Sequence, residues 1–258
     1  MNIKLKDKLS AIINPVVSKV PEATVIFWIT KILTTGMGET MSDFLVRIMN
    51  PVIAIALAIT VLVIALVMQF KSKKYSPWIY WFAVVMISIF GTMAADSLHV
   101  VLGIPYIFSV AFFFLALLVI FALWYKKEKT LSIHSITTRR RETFYWLTIL
   151  TTFALGTALG DMTATTLHLG YLTSGILFVV LILIPALAYW LFNLNEVAAF
   201  WIAYILTRPL GASFSDWGAV AHSRGGLGLG TGVISLTLGI IIFGLVWYLA
   251  VSHEDVKR

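Results

Sequence analysis

WITKILTTGMGETMSD (28–43) is one of four copies of a single pattern; the others are WFAVVMISIFGTMAAD (81–96), WLTILTTFALGTALGD (146–161) and WIAYILTRPLGASFSD (201–216). Each copy opens on Trp, places Gly ten residues later, a small residue four beyond that, and then Asp. The spacing is identical and ungapped in all four. Trp makes up only 9 of 258 residues, so coincidence is a poor account. Self-similarity of this kind marks a repeated structural unit. Each Asp closes a mostly apolar segment, where an ionisable group is a functional candidate by default.

Composition sets the class. The chain is 60% hydrophobic and 12% charged, against about 25% charged in soluble domains. Runs such as Val52–Met68 and Ile107–Tyr125 approach or reach the roughly 20 apolar residues that cross a bilayer. This is the composition of an integral membrane protein. The net charge of +7 therefore bears on topology, and no nucleic-acid partner is expected. The chain has no cysteine, which excludes disulfides, thiol chemistry and Cys-ligated metals. No signal-peptide core follows the early lysines.

The pattern predicts an all-α fold of eight transmembrane helices, near 22–48, 51–70, 77–102, 105–125, 142–168, 171–192, 195–220 and 229–250. Pro51, Pro77 and Pro105 suit first turns. Glu22, Glu142 and Glu196 read as carboxylates opening three pattern-bearing helices, where they complement the helix dipole. The unit is a helical hairpin repeated four times. Odd-numbered helices carry the pattern; even-numbered helices are plainly apolar and read as outer or lipid-facing. Residues 1–21 form a basic leader, 22–125 the first pair of hairpins, 126–141 a linker and 142–250 the second pair. All Lys and Arg except Lys31, Arg47, Arg208 and Arg224 fall on one side of this arrangement. The positive-inside rule then places both termini, the leader and the linker in the cytoplasm. All repeats enter the membrane in the same sense, about an axis along its normal.

Read at i+4 steps, each odd helix shows two rows. One is small: Thr34–Gly38–Ser42, Gly91–Ala95, Thr152–Gly156–Gly160 and Thr207–Gly211–Ser215. Small residues let membrane helices approach closely, so Gly38, Gly91, Gly156, Gly160 and Gly211 predict an inner four-helix core. The adjacent row ends in the Asp: Lys31–Thr35–Glu39–Asp43, Val84–Ser88–Thr92–Asp96, Ile149–Phe153–Thr157–Asp161 and Tyr204–Arg208–Ala212–Asp216. Each Trp reads as an interfacial belt residue at the cytoplasmic end. The Asp lie roughly 28–32 Å from the cytoplasmic helix starts, at the outer end of the bundle.

Within the spans stand Glu39, Asp43, Asp96, Asp161 and Asp216, against Lys31 and Arg208. Such a surplus of acid is too costly to leave uncompensated. Either some carboxyls carry protons or a cation sits among them. Lys31, Arg208 and Arg224 read as charge-tuning groups. Capping of helix ends and pairing with these cations is the purely structural alternative. His99 and His168 lie near this level, with His222 beyond, so Asp96, His99, Asp161 and His168 form a candidate set for a divalent metal. Pro209 should kink the seventh helix near Ile205. The glycine-rich HSRGGLGLGTG (222–232) lacks the preceding strand of a dinucleotide loop. It reads as an outer gate or a re-entrant turn packed on the bundle.

GTALGDMTATTLHLGY (156–171), LTRPLGASFSD (206–216) with GGLGLGTG (225–232), and KILTTGMGETMSD (31–43) resemble a bacterial family of multi-pass membrane proteins known chiefly as a short repeat of unknown function. The resemblance covers roughly residues 20–235. It implies a bacterial inner-membrane protein with four repeats and carries no established activity. GET (38–40) and GDMT (160–163) are also similar to short acidic motifs of manganese and calcium exchangers.

The expected function is a transporter or exchanger, proton-coupled, for a small cation such as manganese, in the bacterial cytoplasmic membrane. Glu39 and the four Asp would bind the ion or protons; no catalytic residue is expected. A divalent cation is the one bound group considered. Lipid and a small ion or solute are the expected partners, with monomer and homodimer both open. Two competitors are an intramembrane enzyme acting on a lipid-like substrate and a non-catalytic sensor or partner protein. No HExxH or nucleophile–His–acid spacing supports the enzyme.

Overall fold

The computed structural model describes residues 18–256. Most of the leader expected over 1–21, with Lys4, Lys6 and Lys8, lies outside the described residues, as do Lys257 and Arg258. Eight long helices follow: α1 (Val25–Ile48), α2 (Pro51–Lys71), α3 (Pro77–Asp96), α4 (Tyr106–Glu128), α5 (Arg139–Asp161), α6 (Tyr171–Phe192), α7 (Glu196–Ala219) and α8 (Thr231–Ser252). No strand occurs among the described residues. Seven helices are long and apolar enough to cross a membrane. The exception, α1, has the length but carries Lys31, Glu39, Asp43 and Arg47. At 1.5 Å per residue its 24 residues extend about 36 Å.

The odd helices form a closed ring in the order α1, α3, α5, α7 and back to α1. Their buried faces are the small and polar rows: Thr34, Gly38 and Ser42 in α1, Thr152, Gly156 and Gly160 in α5, Thr207, Gly211 and Ser215 in α7. The approach is closest between α1 and α7, where a Cβ on Gly211 would stand 2.6 Å from the Ile32 carbonyl oxygen and 3.0 Å from the Gly36 nitrogen. Gly38 of α1 lies directly on Ser88 of α3. Pro209 sits inside an unbroken α7 and fills the groove over Gly156 and Gly160 of α5.

The even helices pack outside this ring, and their choice of partner differs from a simple hairpin. α2 lies on α3, α4 on α5, α6 on α7, and α8 returns to cover α1; contact between α1 and α2 is slight. Chain direction supplies the reason. Each even helix must carry the chain back to the start of the next odd helix, so it leans over that helix. With no successor, α8 closes the cycle on α1, where Gly232 receives Phe44 and Ser235 donates to Thr40 at 2.8 Å.

Several local readings change. Thr24, not Glu22, caps α1, its side chain accepting from the Phe27 amide at 3.2 Å. Glu142 is no interfacial cap: it is fully buried, bound by Lys19 at 2.6 Å and Gln69 at 3.2 Å. Glu196 does stand exposed in the first turn of α7. The linker packs under the bundle, with Ile133 and Ile136 buried and Leu131 accepting from the Trp201 indole at 2.9 Å. The glycine-rich loop folds back on α7. The amides of Leu227, Gly228, Leu229 and Gly230 donate to the carbonyls of Trp217, Val220, Gly218 and Ala219. It thereby satisfies carbonyls that a helix end leaves free.

Candidate functional site: a polar axis within the helix ring

Three levels stack along the ring axis, set by helical rise from the repeated positions. The first lies sixteen residues before each Asp, about 24 Å away. There Phe27, Tyr80, Tyr145 and Phe200 precede the four repeated Trp. Each of these rings packs on the Trp of the next odd helix: Phe27 on Trp81 at 5.6 Å, Tyr80 on Trp146 at 5.5 Å, Tyr145 on Trp201 at 6.2 Å, and Phe200 on Trp28 at 5.5 Å. The cycle is complete and directional. Tyr80 and Tyr145 also share a hydroxyl hydrogen bond of 2.6 Å. The interfacial-belt reading of the Trp is therefore overturned for Trp81, Trp146 and Trp201, which are buried in the ring; Trp28 is half-buried. The dipeptides Phe27-Trp28, Tyr80-Trp81, Tyr145-Trp146 and Phe200-Trp201 carried this signal in the sequence.

The second level holds the cations. Lys31 is fully buried, its Nζ 4.1 Å from the Phe153 ring centre and 4.2 Å from that of Tyr204. Among the described residues no hydrogen-bond partner meets its Nζ. Cation–π attraction replaces part of its lost hydration. Arg208, also fully buried, extends Nη2 from α7 to the Glu39 carboxylate of α1 and the Thr92 hydroxyl of α3, and to the Thr157 hydroxyl of α5 at 2.7 Å. Glu39, Thr92 and Thr157 occupy the same repeat position, four residues before the Asp. One guanidinium thus ties all four inner helices together and fixes them parallel and in register. Its Nε and Nη1 have no partner among the described residues.

The third level gathers the acids. Carboxylate oxygens of Glu39, Asp43 and Asp96 lie within 4.8 Å of one another, as do those of Glu39, Asp161 and Asp216. Glu39 belongs to both groups and so sits between the Asp. Among the described residues only Asp43 of the four Asp pairs with a cation, Arg47 at 3.2 Å. Directly after Asp96 and Asp161 the helices widen into π-turns, Ser97–Val101 and Met162–Thr166. Such turns recur at functional sites.

The histidines stand apart. His99 spends Nδ1 on the Ile104 carbonyl at 2.9 Å and stacks on Tyr106 at 3.7 Å, and neither it nor His168 joins either acidic group. Of the expected set Asp96, His99, Asp161 and His168, the two Asp fall in separate all-carboxylate groups and the two His lie outside both. The cause is local: the π-turn turns His99 onto Tyr106, and His168 adopts a left-handed backbone beyond the helix, exposed. Arg224 donates to the Tyr171 hydroxyl at 2.5 Å and makes no ion pair with an Asp among the described residues.

A family model covers this architecture four times, at residues 26–75, 79–130, 144–194 and 199–255. The chain belongs to the family described as Repeat of Unknown Function (DUF347). Each match runs from an odd helix through the even helix that follows it, so one DUF347 unit supplies one wall of the ring and one aromatic–Trp pair. Neither a curated protein nor a solved structure matches the chain.

Proposed function

We propose that this chain is a proton-coupled transporter or exchanger for a small cation, such as divalent manganese. In this reading it crosses a bacterial cytoplasmic membrane eight times, with both termini in the cytoplasm. α1 then serves as the eighth span, its charges shielded by α3, α7 and α8. The observation that carries the reading is the convergence of Asp43, Asp96, Asp161 and Asp216 around Glu39 at one end of the ring axis. Hard oxygen ligands of this kind suit manganese, magnesium or calcium more than zinc. Behind them Arg208 engages Glu39, leaving the four Asp to the cargo or to protons. The aromatic ring closes the axis at the opposite end, which suits alternating access.

The competing readings have less support. Among the described residues no hydrogen bond joins an Asp to a His; His99 and His222 both direct Nδ1 to backbone carbonyls. A sealed bundle with every carboxylate paired would suit a sensor, whereas among the described residues Asp96, Asp161 and Asp216 make no ion pair. The test is ion flux in proteoliposomes. Asp43→Asn and Asp161→Asn should each abolish manganese-driven proton movement while leaving the protein folded. Unchanged flux in both would overturn the proposal.

A further inference from the structure

The four-fold plan leaves four equivalent seams at the aromatic end, each between two odd helices and under one even helix. Three are bridged by side-chain contacts from within. Under α8, Trp78 packs on Phe243 at 5.1 Å and Trp247 at 6.4 Å. Under α2, Gln69, Lys19 and Glu142 bond together. Under α4, Trp124 packs on Trp201 at 5.8 Å and on Phe144 at 6.1 Å, with a cavity of about 470 Å³ beside them whose rim carries Lys129 and no carboxylate. The fourth seam, between α7 and α1 under α6, holds a cavity of about 480 Å³. Small side chains leave it open: Ala186 beside Pro185 in α6, and Ala199 and Ala203 in α7. Its inner wall is Trp28 and Phe200, which explains why Trp28 alone among the four repeated Trp is not buried.

The volume is that of a small-molecule or single-chain site. Its walls are apolar and its setting is the membrane, so an acyl chain is the matching filler. The rim adds polarity. Trp190 is 75% exposed beside it, as an interfacial aromatic would be. His134 at the mouth faces Glu22 at 3.1 Å and Glu196 at 3.4 Å. Two carboxylates against one imidazole leave the mouth net negative whether or not the ring is protonated.

We infer that this unfilled seam binds one phospholipid of the amine-headed, zwitterionic class, its acyl chain against Trp28 and Phe200 and its ammonium at Glu196 and Glu22. The bound chain completes the fourth seam and buttresses the aromatic ring from outside. The site does not depend on the cation reading, and its test contains no flux measurement.

The experiment is native mass spectrometry of the purified full chain with dioleoyl phosphatidylethanolamine or dioleoyl phosphatidylglycerol. The two lipids differ by one net charge, which near a membrane surface corresponds to roughly a five-fold preference. The wild type should retain one phosphatidylethanolamine with that preference. Ala203→Phe, which places a ring inside the cavity, should sharply reduce retention. Glu196→Gln, an exposed change that leaves the shape intact, should keep a bound lipid but lose the preference; it still decides the matter should Ala203→Phe fail to fold. Equal retention of both lipids by the wild type, full retention by a folded Ala203→Phe protein, or undiminished preference in Glu196→Gln would each overturn the proposal.

Discussion

Removing the charge of Glu39 should cost more stability than removing it together with its partner. Glu39 is 4% exposed and Arg208 is fully buried, and the carboxylate is the one charged group bonded to that guanidinium. Glu39→Gln leaves Arg208 with neutral partners on Nη2 and nothing on Nε and Nη1. Breaking a buried pair on one side in this way costs about 3–5 kcal/mol. Adding Arg208→Met removes the stranded cation and keeps an unbranched chain in the same space. Thr92 and Thr157 do not become orphans, because their hydroxyls already donate to the Ser88 and Phe153 carbonyls, each at 3.0 Å. The double variant should therefore recover most of the loss, so that its cost falls well below the sum of the two single losses. Equilibrium unfolding in mixed micelles, run as a double-mutant cycle, measures this directly. If the double variant loses the sum of the two single losses, the residues are not a coupled pair, and the account of Arg208 as the tie between the four helices is wrong.

Two further predictions concern packing and pH. Gly211→Ala forces a Cβ against the Ile32 carbonyl at 2.6 Å and should cost about 1–3 kcal/mol. Gly160→Ala meets Pro209 at an ordinary 3.6 Å, and better helix propensity should stabilise it by about 1 kcal/mol or leave it neutral; the opposite ranking in thermal unfolding would refute the α1–α7 close approach. Below α8, Tyr75 donates to the buried Asp255, and burial raises the Asp255 carboxyl above its ordinary value. A carboxyl raised in the folded state stabilises fully below its unfolded value and loses that contribution as pH rises through the folded one. Unfolding midpoints should therefore fall on going from acidic to neutral pH, and Asp255→Asn should flatten that part of the profile.

Sequence alone determined the repeat, the helix count, the division into odd and even helices, and the two rows on each odd helix. Those are properties of spacing along one chain, and a helix converts spacing into a face and a depth without help from its neighbours. Asp43, Asp96, Asp161 and Asp216 share a level for that reason. What crosses between helices was not written in any single row. The same small stripe can meet either neighbour, so only ring closure decided that each even helix covers the next repeat and that α8 returns to α1. Arg208 could have met any acid above it; three residues at one repeat position, Glu39, Thr92 and Thr157, lay within its reach because the ring brought them there. Trp81, Trp146 and Trp201 turned inward because each had an aromatic neighbour on the preceding odd helix to pack against. The histidines left the acids because π-turns and a left-handed residue redirected the chain after the Asp, a change of helical pitch that periodic reading assumes away. The cavity under α6, with carboxylates at its mouth, belongs to the packing of α6 on α7 and α1 and was not written in any one helix.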